Sequence, residues 1–146
     1  MPPPVSVQFA RDVGGYLSGV VLFRQGQVDA WAGWFADAVE HAADRTVTVM
    51  SAVEDLLAHW ADTATGLRRD AAARRLIPHL AQHPVVNAAL VARLLGVSEQ
   101  SARVAIGELA TLGVLSEFTP SSAGAARPGR PRQWWVAADL LALLGQ

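Results

Sequence analysis

The sequence predicts a mainly α protein: an N-terminal helical hairpin followed by a helix-turn-helix domain with a small antiparallel β-wing. Three observations predict it. From Asn87 to Leu115 two short helix-periodic segments meet at Gly96-Val97-Ser98. Behind them two β-rich runs, Val114 to Thr119 and Gln133 to Ala137, flank the loop PSSAGAARPGRPR. Ahead of them, two stretches repeat apolar residues at three- and four-residue spacing, the signature of amphipathic helices. The expected division is residues 1–66 for the hairpin and 67–146 for the second domain.

Taken in order, Phe9, Val13, Tyr16, Leu17, Val20 and Val21 predict one helix over about 8–25. Gly14, Gly15 and Gly19 weaken it, so it needs a packing partner. Gly26 is its expected stop. Asp29 is expected to cap a much longer helix, 29–62, striped by Trp31, Phe35, Ala38, Val39, Ala42, Thr46, Val49, Val53, Leu56, Leu57 and Trp60. Such a helix is about 50 Å long, more than one small domain covers. It predicts a partner: another helix, a second subunit pairing as a homodimer, or a further domain. The β-branched run Val47-Thr48-Val49 is the expected site of any bend.

Arg68 to Gln82 predicts the next helix, with Ala72, Leu76, Ile77 and Leu80 inward and Pro78 expected to kink or shorten it. Val85-Val86 reads as a short strand, and Asn87 as the cap of the following helix. Ala92 and Gly96 stand four apart, where a small side chain lets helices approach and glycine takes the turn. Ser98 falls at the N-cap position of a second helix whose apolar face is Ala102, Ala105, Ile106, Leu109 and Leu112. Gly113 ends it. Ala138 to Leu144 predicts a closing apolar helix. Strand, loop and strand after a helix-turn-helix is the order of a winged helix.

Composition bounds the function classes. The chain has 146 residues, 51% apolar and 17% charged, enough for a real core. There is no Cys, which removes disulfides, thiolate metal sites and cysteine nucleophiles and fits a reducing cytoplasm. No apolar run approaches the ~20 residues of a membrane span. Soluble, cytoplasmic, non-membrane protein is the expectation. The net charge of −1 hides a split: residues 1–66 hold three Arg against eight Asp/Glu, and residues 67–146 hold nine Arg against five. A near-neutral total argues against bulk polyanion binding, while the basic half carries the recognition-type helix; the bland alternative is that surface charge merely varies along the chain.

A helix entering the major groove of double-stranded DNA would read it with its first turn and outer face: Ser98, Gln100, Ser101 and Arg103, beside Glu99 and Gly107. Gln suits adenine, Arg suits guanine or phosphate, and Ser bonds either base or phosphate. Arg103 is the one basic residue there, and Glu99 and Glu108 repel phosphate. The bland reading is therefore a winged helix kept for packing or dimerisation. The loop adds positive charge at Arg127, Arg130 and Arg132, and Gly129-Arg130-Pro131 resembles minor-groove hooks. An Arg/Pro/Gly loop is otherwise simply solvated. The arginines Arg68, Arg69, Arg74 and Arg75 either add phosphate contacts or merely solvate their helix.

His79 and His83 share helical spacing but have no third ligand beside them, so neither metal nor cofactor is expected. The paired carboxylates of the long helix read as a solvated face, and the serines have no His/Asp partners. No GxxxxGK[ST] or GxGxxG occurs. No catalytic residue is expected. Trp134 and Trp135, adjacent in a strand, cannot both face inward.

Three segments carry a family resemblance: PPPVS near the start, YLSGVVLFRQGQVDAWAGWFADAVEHAA, and HPVVNAALVARLLGVSEQSARVAIGELATLGVLSE. Together they resemble the C-terminal part of Fic (Fic/Doc) family proteins, over nearly the whole chain. The resemblance implies final helices of a Fic fold, a linker helix and a winged helix. Family members of this kind transfer AMP from ATP to a hydroxyl of a target protein. Their signature HPFxxGNGRxxR is absent, since His83-Pro84 is followed by Val85, so no catalytic role passes to this chain. Val104 and Gly107 stand where similar proteins often carry basic residues. The expected function is a non-catalytic, winged-helix DNA-binding or regulatory region of a Fic-like protein, acting in transcription regulation. The alternatives are a stand-alone dimeric transcriptional regulator paired through helix 29–62, and a protein-interaction module.

Overall fold

A computed structural model describes residues 5–119 and 133–145. The chain forms two compact units by its internal contacts, one reaching to Ser51 and the other beginning at Ala52. Helices dominate both, and a small antiparallel sheet lies within the second.

The first unit is built from α1 (Val5–Arg11), α2 (Val13–Arg24) and the N-terminal part of α3 (Val28–Thr63). The single helix expected over 8–25 is two. Asp12 leaves helical geometry at φ −118° and ψ 72°, and its Oδ1 accepts from the Gly15 amide at 2.8 Å, capping α2. A short carboxylate able to satisfy a free helical N–H competes with helix continuation, and here it wins. Gly26 ends α2 as expected, at φ 74°, a conformation a Cβ would oppose.

α3 runs unbroken through 36 residues. It starts at Val28, so Asp29 sits in the first turn, where its charge suits the helix N-terminus, rather than at the cap itself. The β-branched run does not interrupt it. The Thr46 and Thr48 hydroxyls donate back to the Ala42 and Asp44 carbonyls at 2.7 and 3.0 Å, keeping their polar groups satisfied inside the helix. Aromatic rings gather where α1 and α2 meet α3: Phe9 stacks on Trp34 and Trp31 on Phe35, with centroids 5.4 and 5.5 Å apart. Gly19 faces this cluster, and a Cβ there would fall on the Trp34 ring.

The second unit takes the end of α3, a 3-10 turn (Ala64–Gly66), α4 (Ala72–Leu80), β1 (Val85–Val86), α5 (Ala88–Leu95), α6 (Glu99–Thr111), β2 (Ser116–Phe118), β3 (Trp134–Val136) and α7 (Ala138–Gly145). α4 begins four residues later than its arginine-rich lead suggests, and it holds Pro78 in its last turn, ending two residues beyond. There the missing N–H costs a single helical bond. The core joins Leu76, Ile77 and Leu80 of α4, Val91 and Leu95 of α5, Ala102, Ala105, Ile106 and Leu109 of α6, and Leu140 of α7. Trp60 and Ala64, at and after the end of α3, belong to the same core. Each large aliphatic side chain buried there contributes about 1.5–3 kcal/mol.

Strand β3 lies between the other two, in the order β1-β3-β2, antiparallel on both sides. Val86 and Glu117 both register with Trp135. The sequence placed Val85-Val86 as a strand without a partner; the partner is β3, some fifty residues on. Val114 and Leu115, expected to open a strand, are instead buried in the core, 2% and 3% exposed, and pairing starts only at Ser116.

Candidate functional site

The residues expected to read DNA lie on α6 and in the 120–132 segment. α5 and α6 are held in place first by local chemistry. Asn87, 8% exposed, accepts from the Leu90 amide at 2.9 Å and caps α5. α5 stops at Gly96, which takes the left-handed conformation at φ 64° and bonds back to the Ala92 carbonyl. The Ser98 hydroxyl then accepts from the Ser101 amide at 3.1 Å and caps α6. A tertiary bond completes the corner: Arg75 of α4 donates through Nη2 to the Leu95 carbonyl at 2.7 Å. That carbonyl belongs to the last turn of α5, where a cation is favoured.

α6 is split cleanly by burial. Ala102, Ala105, Ile106 and Leu109 face the core, while Glu99, Gln100, Ser101, Arg103, Val104 and Gly107 are exposed on the other side. The four helix residues expected to read DNA, Ser98, Gln100, Ser101 and Arg103, are thus together on an accessible surface. Their chemistry is partly spoken for. The Ser98 and Ser101 hydroxyls are within 3.0 Å of each other, and the former already accepts the capping bond. Arg103 pairs with Glu99 one turn earlier, at 3.1 Å, with both side chains more than half exposed. Glu99 itself lies in the first turn, where it favours the helix. An exposed pair of this kind is worth under ~1 kcal/mol, so a phosphate can take the guanidinium from it at small cost. Arg127, Arg130 and Arg132 lie outside the described residues.

Beside this surface runs an open groove of about 600 Å³ whose walls include Leu90, Arg93, Val97, Glu99 and Trp134. Sequence reasoning passed over Arg93 and could not choose between the two tryptophans. Trp135 packs against the core and Trp134 lines the groove, the alternation a strand imposes. Arg75, grouped in the sequence with solvated or phosphate-binding arginines, is in fact a structural tie to α5. Its partner is twenty residues away, and nothing in the local pattern marks it.

Among the described residues no group of three or more His, Asp or Glu could hold a metal ion. No described helix is long and apolar enough to cross a membrane. No protein-family model matches the chain, and it has no significant match among curated proteins.

Proposed function

We propose that the segment from α4 to β3 is a winged helix that binds double-stranded DNA, and that the chain is a non-catalytic regulatory region of a Fic-like protein, acting in transcription regulation. The observation that carries the DNA reading is the succession α4, β1, α5, glycine turn, α6, β2, β3 with strand order β1-β3-β2, which leaves the outer face of α6 exposed. A helix seated this way can enter a major groove by its N-terminal half. Gln100 and Arg103 read base edges, Ser98 and Ser101 bond phosphate or base, and Arg127, Arg130 and Arg132 supply backbone or minor-groove charge from the 120–132 segment. The Fic-like parentage rests on the sequence resemblance.

Fluorescence anisotropy with random and A·T-rich duplexes over a salt series tests the DNA reading. Micromolar or tighter binding that weakens linearly in log salt is expected, since each neutralised phosphate releases condensed counterions. Absence of salt-dependent binding at micromolar protein in low salt overturns it.

One observation favours a second reading. Val104 lies in the middle of the outer face of α6 and is 53% exposed, beside an Arg103 already paired to Glu99. An exposed apolar residue beside a neutralised ion pair suits a protein partner. In that case Arg103→Ala leaves function intact and Val104→Asp abolishes it.

A further inference from the structure

We propose that the first unit is a homodimerisation element, in which α3 pairs antiparallel with α3 of a second copy of this chain. Among the described residues of this unit only Gly19 and Ala42 are buried, so no large side chain is fully withdrawn from water. The second unit, by contrast, encloses Leu76, Leu80, Ile106, Leu109 and Leu140. What the first unit exposes is ordered. Along α3, Val28, Ala32, Phe35, Val39, Ala43, Thr46 and Met50 follow one another at spacings of 4, 3, 4, 4, 3 and 4 residues, which places them on one stripe of the helix. Val28 and Met50 are each 58% exposed, and Phe35 is 38% exposed although its ring also meets Phe9 and Trp31. Ala32 is exposed too, and Val39, Ala43 and Thr46 are half-buried. The stripe carries no charge: Asp37, Glu40 and Asp44 lie a quarter-turn or more away around the helix.

The spacing reads the same from either end, and this selects a second copy as the occupant. An interface between two identical chains about a twofold axis is isologous: where residue i meets residue j, j meets i. With the axis at Val39, antiparallel α3 helices set Val28 opposite Met50, Ala32 opposite Thr46, Phe35 opposite Ala43, and Val39 opposite itself. Bulk is then complementary, because the large Phe35 ring meets a methyl group. A parallel pair would set Phe35 against Phe35 and Ala32 against Ala32, crowding one layer and leaving the other hollow. Thr46 is the one polar residue of the stripe, and its hydroxyl already donates to the Ala42 carbonyl at 2.7 Å, so covering it leaves no polar group unpaired. The stripe is about 33 Å long. A single helix pair of that length belongs with the smaller interfaces, under about 1,200 Å² in total, and association in the micromolar range follows. The pairing uses α3 alone and is independent of whether α6 reads DNA.

Sedimentation velocity of the unaltered full chain, from low micromolar to several hundred micromolar, should show a monomer–dimer equilibrium. The sequence has no Cys, so single cysteines report the register. Under mild copper-phenanthroline oxidation Val39→Cys should cross-link to a covalent dimer. Val28→Cys and Met50→Cys, both at exposed positions, should each stay largely monomeric alone and cross-link when mixed. Met50→Glu should weaken association at least about tenfold, because it covers an unpaired charge, while helical circular dichroism stays unchanged. A strict monomer at several hundred micromolar leaves the stripe to a different protein and overturns the proposal. Cross-linking of Met50→Cys alone as readily as Val39→Cys marks parallel or random pairing and overturns it too. So does a dimer in which neither Val39→Cys nor the mixed pair cross-links, since that dimer uses another surface.

Discussion

The Arg75 guanidinium donates to the Leu95 carbonyl at 2.7 Å, tying α4 to the last turn of α5 immediately before the Gly96 turn. The bond spans twenty residues and joins two helices of the second unit. Charge-assisted bonds to a helix C-terminus contribute more than neutral ones. Arg75→Ala is expected to lower stability by about 1–2 kcal/mol in urea unfolding. Arg75→Lys should recover only part, since an ammonium lacks the planar fork. Full stability in Arg75→Ala would show the bond to be incidental.

The two caps should differ in weight. Asn87 is nearly buried and its cap serves the Leu90 amide, half-hidden from water, whereas Ser98 and its partner Ser101 are exposed. Asn87→Ala should cost about 1–3 kcal/mol, because the amide loses its partner without gaining water. Ser98→Ala should cost about 1 kcal/mol, with water replacing the hydroxyl. Thermal unfolding of both variants checks the order; a larger loss in Ser98→Ala would contradict it.

Gly96 and Gly113 have positive φ, 64° and 77°, with open space where a Cβ would stand. Substitution there is purely a backbone cost. Gly96→Ala should destabilise by about 1 kcal/mol, and Gly96→Asn by less, since Asn tolerates the left-handed region. Calorimetry that ranks Asn below Ala would refute the backbone account.

Gly19 is the opposite case. Its backbone is helical, but a Cβ would fall on the Trp34 ring. Gly19→Ala gains helix propensity of about 1 kcal/mol and should still lose stability overall, by roughly 1–2 kcal/mol, through overpacking. Near-ultraviolet circular dichroism should report the displaced aromatic rings. A stabilised variant with unchanged spectrum would mean that α2 and α3 separate freely at this point.

The Glu99–Arg103 pair makes a signed prediction for the proposed DNA interface. Glu99→Gln removes a charge that repels phosphate and frees the guanidinium, so DNA affinity at low salt should rise several-fold. Arg103→Ala should lower it and reduce the salt slope by about one. Anisotropy titrations across salt measure both. If Glu99→Gln leaves affinity unchanged while the wild type binds DNA, this end of α6 does not face the backbone.

The sequence by itself determined the elements whose causes are local. Alternating three- and four-residue spacing gave the helices, Asn87 and Ser98 gave the caps, and Gly26, Gly96 and Gly113 gave the stops, because capping and backbone freedom act within one turn of the residue that causes them. The candidate surface was legible for the same reason: burial of Ala102, Ala105, Ile106 and Leu109 leaves only one outer face on α6. Asp12 was legible in principle, as an acid three residues before a glycine, but the apolar periodicity running through it hid the break. Other features had no local signal. The partner of Val85-Val86, the burial of Val114 and Leu115 in place of strand pairing, the inward choice of Trp135 over Trp134, and the Arg75–Leu95 tie are contacts between residues far apart in the chain. Only the packed tertiary structure decided these, because a side chain's role there depends on which distant atom reaches it first, and spacing along one element carries no information about that.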